Sequence, residues 1–405
     1  MDRDAILARL DEKASLDFLS AMVRHKSYSE TDGERALARF MVERMREIGL
    51  TADLGPVPGD RFNAIGRLAG TGGGKSLLFN GHLDTNPVTE GWTVDPWGGL
   101  VDDRFIYGIG VSNMKSGDAA YFCALRTLIE AGIRLKGDVV LTYVVGELQG
   151  GVGSLAAIRQ GVRADYFINS EPTDLQALTM HAASGMFSIE LTGVTRHLSK
   201  REQAVDVIMA ACDLIPRLNG MTFSGARTDD HRGINRCHVG VVHGALGRDL
   251  QEWRAPQVAD FLRLKGSARY APGQTEASAM ADIRRELDAL EARFPGLKAE
   301  LIPERTENRP QMPPFEVARD ARIVRTINAA YAHVRGEAQP TGAITPPGFY
   351  GTDAGHFHQE AGMEGIVCGP GGRYNTMPDE RVDIADYLDM IRIYMLAILD
   401  ICEVA

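Results

Sequence analysis

Three apolar, strand-like runs of the chain are each followed by a residue that can bind a metal or transfer a proton. The runs are 76–80, 138–145 and 165–170, and the residues that follow them are His82, Glu147 and Glu171. Because open α/β sheets bind ligands at the carboxyl ends of their strands, we expect these side chains to meet at one edge of a sheet. A fourth run, 365–368, opens into a Gly/Pro loop. The convergence predicts a site built from residues that can bind a metal or act as an acid or base.

Asp84 lies two residues after His82, where its carboxylate would hold the imidazole ring. Metal-ligating histidines are usually oriented in this way. A His-x-Asp sequence or a glutamate at a strand end is commonplace by itself, and Glu171 before Pro172 also fits the start of a turn. These residues occur together, in order and each at the end of a predicted strand. This joint occurrence favours a metal-binding or catalytic site over separate surface residues.

The composition limits the class of protein. The chain has 405 residues, 44% of them apolar, which predicts two domains. The net charge of −10 argues against nucleic acid as a partner, since phosphate binding depends on clustered Lys and Arg. The five cysteines form no Cys-x-x-Cys pair, so neither a zinc knuckle nor a disulfide framework is indicated. Without a signal-peptide pattern or a membrane-length apolar run, we expect a cytoplasmic protein with no membrane partner.

The pattern of elements changes along the chain. Helical and strand-like segments alternate in residues 1–182, which predicts a mixed or mainly parallel sheet covered by helices. Residues 183–303 predict an inserted domain with two helices on one face of an antiparallel sheet. The proline-rich stretch 303–314 is interpreted as a linker, and 304–405 as the return to the first domain.

Apolar spacing predicts which faces of the two helices in the inserted domain are buried. In the first helix the predicted positions are Val205, Ile208, Met209 and Cys212. In the second helix they are Met280, Ile283, Leu287 and Leu290. Each set recurs at helical intervals, which places its members on one side of a helix.

An ordered series of motifs resembles the M20 group of metallopeptidases and amidohydrolases, which includes aminoacylases, deacylases, desuccinylases and glutamate carboxypeptidase. The motifs are Gly81-His82-Leu83-Asp84-Thr85, Asn113-Met114-Lys115-Ser116-Gly117, Glu147, Glu171-Pro172-Thr173, Arg196-His197-Leu198-Ser199, Gly351-Thr352-Asp353 and Pro378-Asp379-Glu380. The resemblance implies an α/β fold with a mixed-sheet, zinc-peptidase-like catalytic domain. It also implies that the inserted α+β domain has four antiparallel strands and two helices and serves as a lid and dimerisation domain. The protein would then be a homodimer or a higher homo-oligomer.

Departures from the family pattern imply an altered metal site. The family's usual site holds two metals bridged by an aspartate. His82 and Glu171 match the ligands of one metal, but the bridging position is Asn113 and a glutamate of the second metal is replaced by Leu148. The late histidine of the second metal is replaced by Asn375 or Thr376. Since the exclusive ligands of one metal are missing together, we predict one divalent metal per chain, Mn²⁺ or Zn²⁺, bound by His82, Asn113 and Glu171. The neighbouring Asp118 is an alternative to Asn113 as the ligand.

The same resemblance implies roles for other positions. Glu147 matches the general base that takes a proton from water, and Asp84 would orient His82. His197 matches a histidine that reaches across the dimer to stabilise negative charge on the substrate. The candidates for substrate binding are Arg269, Tyr374 and Asn375. Both residues also have a structural interpretation, His197 as a surface histidine and Arg269 as the partner of a nearby acid. For Arg269 the functional and the structural interpretations are equally open.

Loss of one metal favours a small-molecule substrate that carries its own activation, because a peptidase usually grips the carbonyl oxygen and the attacking water with two metals. The leading hypothesis is a metal-dependent hydrolase of a C–N bond, with deamination of an activated aromatic amine such as 5-nitroanthranilate as its most concrete form. An amidohydrolase or deacylase acting on N-acyl amino acids or small peptides is the alternative enzyme. A catalytically inactive ligand-binding or scaffold protein is the alternative outside enzymes, and retention of Glu147 argues against it.

Overall fold

Helices and strands alternate along the chain and are numbered here in chain order. The computed structural model describes residues 2–305 and 309–405. The helices are α1 Arg3–Leu7, α2 Glu12–Val23, α3 Asp32–Glu47, α4 Ser116–Glu130, α5 Val152–Arg159, α6 Val207–Asn219, α7 Asp229–Gly233, α8 Glu276–Arg293, α9 Arg322–Arg335, α10 Ala354–Gln359 and α11 Ile384–Cys402. The strands are β1 Thr51–Val57, β2 Arg61–Leu68, β3 Leu77–His82, β4 Phe105–Tyr107, β5 Val139–Val144, β6 Tyr166–Asn169, β7 Ala177–Leu178, β8 Met180–His181, β9 Ala183–Thr192, β10 Arg236–Ala245, β11 Phe261–Tyr270, β12 Lys298–Glu304, β13 Phe315–Glu316, β14 Thr341–Gly342, β15 Glu364–Val367 and β16 Arg381–Asp383.

These elements group into two units. The larger unit comprises Met1–Met180, Asn308–Pro347 and Thr352–Ala405, and the smaller comprises His181–Glu307 and Gly348–Gly351. The sequence placed the boundaries after residues 182 and 303, and gave no sign that 348–351 belong with the smaller unit.

The larger unit is built on an eight-stranded mixed sheet with the order β1-β2-β5-β3-β6-β15-β7-β14. β5, β3, β6 and β15 are parallel neighbours, so their carboxyl ends share one edge. Every residue of β3 and β5 is buried, as expected for strands covered on both faces. The mixed sheet predicted from the alternation of elements is therefore confirmed, and so are the four strands predicted from the apolar runs.

A long apolar helix closes the core of the larger unit. α11 packs against α4 and α9, and most of its side chains are buried. Despite this apolar character, none of the helices in the described parts of the chain is both long and apolar enough to span a membrane.

The smaller unit has a four-stranded antiparallel sheet with the order β10-β11-β9-β12. α6 and α8 pack against each other and against this sheet, which confirms the predicted α+β architecture. The face predicted for α8 is correct, because the positions listed for it are all buried. They are Met280, Ile283, Leu287 and Leu290.

The face predicted for α6 is wrong. Ile208 is 44% exposed and Met209 is 58% exposed, and Cys212 is also exposed. The buried side of the helix is formed by Val207, Ala210, Ala211, Leu214 and Leu218. Small alanines beside large apolar residues allow the helix to approach its neighbours, and a pattern that counts only large side chains misses them.

The start of the predicted linker is also wrong. Pro303 and Glu304 belong to β12, where Pro303 pairs in register with Phe187 of β9. β12 is an edge strand of its sheet, and proline is tolerated there because its missing N–H can face away from the neighbouring strand. Residues 306–308 of the predicted linker lie outside the described residues.

Candidate active site

Three neighbouring parallel strands bring the predicted residues together. His82 is the last residue of β3, while Glu147 and Glu171 follow β5 and β6 after short loops. One ligand atom from each of the three side chains lies within 4.8 Å of the others. The convergence predicted at the carboxyl edge of the sheet is what the structure contains.

The His82 ring is held so that one nitrogen faces the cluster. Nδ1 lies 2.9 Å from the backbone carbonyl oxygen of Asp84, which can only accept, so Nδ1 carries a hydrogen. Nε2 lies 3.1 Å from Asn113 Oδ1 and 3.7 Å from Glu171 Oε1. Glu147 Oε2 lies 4.0 Å from the same nitrogen. These atoms offer lone pairs to one point, so a cation there, either a proton or a metal ion, completes the contact.

Asp84 orients His82 through its backbone, and its carboxylate has a different task. Oδ1 accepts hydrogen bonds from the amides of Gly146 at 2.8 Å and Glu147 at 3.3 Å, and Oδ2 accepts one from the amide of Leu148 at 3.2 Å. The carboxylate is 3.7 Å from His82 Nδ1. The sequence predicted the carboxylate itself as the partner of the ring. A side chain bound to three amides instead fixes the loop that carries Glu147.

The electrostatics of the cluster show an excess of negative charge. Burial, and then the neighbouring Glu171, raise the pKa of Glu147 well above its ordinary value. Burial also raises the pKa of Glu171. Burial by itself lowers the pKa of His82, but the surrounding carboxyl groups, Glu171 foremost, outweigh it and raise the pKa to about 10. Glu171 Oε1 is buried and has no hydrogen-bond partner among the described residues. A divalent cation fits this set of donors.

Asn113 reaches the cluster from the irregular turn Val111–Lys115, which precedes α4. The buried carboxylate of Glu380 holds this turn, because Oε1 accepts hydrogen bonds from the amides of Ser112 at 2.9 Å and Asn113 at 3.0 Å. Glu380 was part of a family motif in the sequence but received no role there. In the sequence, Glu380 is recognisable only as a carboxylate directly before β16. Its contact with the turn Val111–Lys115 is visible only in the fold.

A cavity of about 310 Å³ adjoins Asn113. Its lining residues are Asn86, Pro87, Thr89, Trp92, Ile109, Gly110, Asn113, Thr376, Met377 and Glu380. Trp92 Nε1 is buried and has no hydrogen-bond partner among the described residues. The cavity therefore offers the indole side chain of Trp92, among mostly apolar and amide groups, to a small ligand beside the cluster.

Four other predicted residues lie outside the cluster. The Tyr374 ring packs edge-on against Phe105, with 5.7 Å between ring centroids, and under the Arg381 guanidinium at 4.0 Å. The backbone N–H of Asn375 donates to Gly372 O at 3.4 Å. Asn375 is not among the residues that line the cavity, whereas Thr376 and Met377, which follow it, form part of the wall. Substrate binding by Tyr374 and Asn375 stays a prediction.

His197 and Arg269 belong to the smaller unit. His197 is exposed, and its Nδ1 lies 3.0 Å from Ser199 Oγ. Arg269 is half-buried on β11, opposite Ser184 of β9. Their roles toward the substrate, and the pairing of two chains through this unit, stay predictions.

Sequence reasoning assigned no role of their own to two buried acids around the cluster, since Asp353 was only part of a family motif and Asp118 only an alternative to Asn113. Burial raises the pKa of Asp353 to about 7. Among the residues that the structure describes, neither of its carboxylate oxygens has a donor at good hydrogen-bond geometry, although the nearby Ser154 hydroxyl lowers that pKa. Asp118 is fully buried in the first turn of α4. Both residues are distant in sequence from the groups they adjoin.

Comparisons with known proteins agree with this geometry. Residues 78–400 match the sequence profile of peptidase family M20/M25/M40. The chain is 26% identical over 392 residues to N-formyl-4-amino-5-aminomethyl-2-methylpyrimidine deformylase from Bacillus subtilis, covering 89% of this chain and 87% of that protein. It is 26% identical to acetylornithine deacetylase from Proteus mirabilis, covering 91% and 92% of the two chains.

A solved structure extends the likeness to the fold. A tripeptidase from Staphylococcus aureus superposes with a TM-score of 0.77 at 20% identity, covering 97% of this chain and 99% of the tripeptidase. Together with the profile match over most of its length, this shows that the chain belongs to peptidase family M20/M25/M40, whose members are metal-dependent hydrolases of C–N bonds.

Proposed function

We propose that the protein hydrolyses the amide bond of a small N-acyl amine, with one divalent cation held by His82, Asn113 and Glu171. The observation that carries the proposal is the meeting of His82, Glu147 and Glu171 within 4.8 Å at the end of three parallel strands. The similar deformylase and deacetylase are both named for removing an acyl group from nitrogen, which supports this substrate class.

Glu147 is the general base of the proposed reaction. Its carboxylate takes a proton from the attacking water, whose oxygen bonds to the carbonyl carbon, and then passes that proton to the nitrogen as the C–N bond breaks. The products are a carboxylic acid and an amine, which become a carboxylate and an ammonium ion when the acid gives its proton to the amine. Burial raises the pKa of Glu147, which suits a group that must both accept and return a proton. A divalent cation in this site would polarise the carbonyl group and lower the pKa of water to about 7.

The donor set supports one cation, Mn²⁺ or Zn²⁺. In the described parts of the chain, His82, Glu147 and Glu171 are the group of metal-binding side chains that converges, and Leu148 beside Glu147 adds no donor. Asn113 contributes a neutral oxygen, which binds one cation but provides no bridging charge for two.

The test begins with the cation content of the purified full chain after equilibration with Mn²⁺ and separately with Zn²⁺. The loaded protein is then assayed for amine release from N-acetylornithine, the formylated aminopyrimidine of the deformylase and an unblocked dipeptide. We expect about one cation per chain and turnover of an N-acyl amine. Two cations per chain would reject the one-metal site, and a cation-loaded chain that cleaves no amide would reject the amidohydrolase.

A second candidate is hydrolytic deamination of an activated aromatic amine such as 5-nitroanthranilate. The cavity beside Asn113 supports it, because its lining includes the indole of Trp92, a side chain that suits a flat aromatic ligand. Incubation of the loaded protein with 5-nitroanthranilate distinguishes the two candidates by ammonia release. Ammonia from this amine, without cleavage of N-acyl amines, would reverse their order.

A further inference from the structure

Asp118 is a buried carboxylate that the proposed hydrolysis does not use. It lies in the first turn of α4 and has no exposed surface. The Tyr121 hydroxyl donates a hydrogen bond to Asp118 Oδ1 at 2.9 Å, whereas Oδ2 has no partner among the described residues. A buried carboxylate without a cationic partner is costly, so its presence calls for a compensating charge nearby.

The carboxylate lies directly behind the strand end that carries His82. A Cβ atom on Gly81 would stand 2.1 Å from Asp118 Oδ1, so the absence of a side chain at Gly81 is what allows this close approach to β3. Gly81 is bonded to His82, whose Nε2 faces Asn113 and Glu171. Asp118 therefore adjoins the residue immediately before the imidazole ligand.

Electrostatic coupling links Asp118 to the cluster. Burial raises the pKa of Asp118 well above its ordinary value, and His82 is the strongest of the groups that oppose this rise. The buried Lys115 also opposes the rise, but less than His82 does, and its ammonium group donates its hydrogen bond to the carbonyl of His25 at 3.0 Å. A divalent cation beside His82 would favour the charged form of Asp118, as a charged imidazole does, and it would do so with twice the charge.

We propose that Asp118 is a positioning residue of the cation site, which supplies from behind β3 a negative charge that the neutral amide of Asn113 lacks. The inference rests on the cation site of the proposed function. Asp118 tightens the hold of the site on a divalent cation without occupying a coordination position. Groups that act behind metal ligands in this way typically change metal affinity about 10- to 100-fold.

A purely structural role makes a different prediction. As an acid in the first turn of α4 and an acceptor for Tyr121, Asp118 would stabilise the helix whether or not a cation is bound. Its replacement would then lower thermal stability and leave cation affinity unchanged, and no second substitution at Asn113 would restore what was lost.

The experiment measures Mn²⁺ affinity by titration calorimetry for the metal-free full chain and for four variants. These are Asp118→Asn, Asn113→Asp, the double variant with both changes, and Asp282→Asn as a control. Asp282 is also a buried acid on a helix, and it lies in the smaller unit, where it accepts hydrogen bonds from Ser224. Circular dichroism checks that each variant folds.

We expect Asp118→Asn to weaken Mn²⁺ binding about 10- to 100-fold, Asn113→Asp to strengthen it, and the double variant to recover most of the loss. Asp282→Asn should not change the affinity. A folded Asp118→Asn variant with unchanged affinity overturns the inference, and so does a folded double variant without recovery. If Asp118→Asn does not fold, the double variant is compared with Asn113→Asp, and equal affinities overturn the inference.

The outcomes separate this inference from the proposed function. A parent chain that binds Mn²⁺ but hydrolyses no C–N bond rejects the proposed function alone, and the affinities still decide the role of Asp118. A parent chain that binds neither Mn²⁺ nor Zn²⁺ rejects both.

Discussion

Glu190 in the smaller unit and the acidic cluster of the larger unit meet opposite environments. In the smaller unit, Glu190 accepts hydrogen bonds from Arg248 at 2.6 Å and from Arg263 at 2.7 Å, and these guanidinium groups lower its pKa. In the larger unit, burial raises the pKa of both Glu147 and Glu171, and their nearest basic group is the imidazole of His82. The chain compensates its own charge in one unit and leaves charge at the cluster for a cation from outside.

Glu147→Gln tests whether the buried carboxylate of Glu147 acts as the general base. The amide keeps the shape of the side chain but accepts no proton, so we expect kcat to fall by about 10²–10⁴-fold while Mn²⁺ affinity changes little. Glu190→Gln is the matched control and should leave kcat unchanged. Steady-state kinetics and titration calorimetry provide the two readouts. Unchanged kcat in Glu147→Gln would remove Glu147 from the role of base.

Glu171→Gln tests whether the charge of Glu171 binds the cation. Because Glu171 Oε1 has no hydrogen-bond partner in the described parts of the chain, we expect the loss of its charge to weaken Mn²⁺ binding at least about 100-fold. Glu304→Gln, which removes the partner of Lys265 in the smaller unit, should leave the affinity unaltered. Equal affinities in the two variants would mean that Glu171 is not a ligand.

Asp353→Asn tests whether uncompensated charge costs stability. The pKa of Asp353 is raised to about 7 in the folded chain, so its contribution to stability is complete below its unfolded pKa near 4 and is lost as pH rises through 7. At pH 8 the amide should therefore stabilise the metal-free chain, by about 1–3 kcal/mol. Urea unfolding at pH 8 and pH 5 measures this, and a variant less stable than the parent at pH 8 would contradict it.

Glu190→Gln should have the smallest effect on stability, and it should destabilise the chain, whereas Asp353→Asn should stabilise it. The pKa of Glu190 is lowered, so its stabilising contribution is present above its unfolded pKa and is lost as pH falls through the folded value. The variant should lose about 0.5–1 kcal/mol at pH 7, and less at pH 3. The same urea series measures the difference. A variant more stable than the parent at pH 7 would contradict the view that the arginines stabilise the charge of Glu190.

The sequence predicted the elements whose signal is local. Apolar runs located β3, β5, β6 and β15, and their parallel order followed from the alternation with helices. His82, Glu147 and Glu171 were found because each directly follows such a run. Asn113 was found because a family motif marks it.

Contacts between distant segments could not be predicted in this way. Asp118 acquires its place from the lack of a side chain at Gly81, and Asp353 from the approach of α10 to the loop that contains Gly151. The buried side of α6 depends on which neighbours it meets, and Pro303 is acceptable only because β12 is an edge strand. These outcomes are properties of packing, which residue spacing does not encode.

Asp84 ties two functions to one short segment of chain. Its carbonyl sets the angle of the His82 ring, and its carboxylate anchors the amides of Gly146, Glu147 and Leu148. Because the same residue holds both ligand and base, a displacement of Asp84 would move the two together. A change of substrate that keeps this geometry is therefore made most simply in the walls around the centre, such as at Trp92 and Met377 of the cavity.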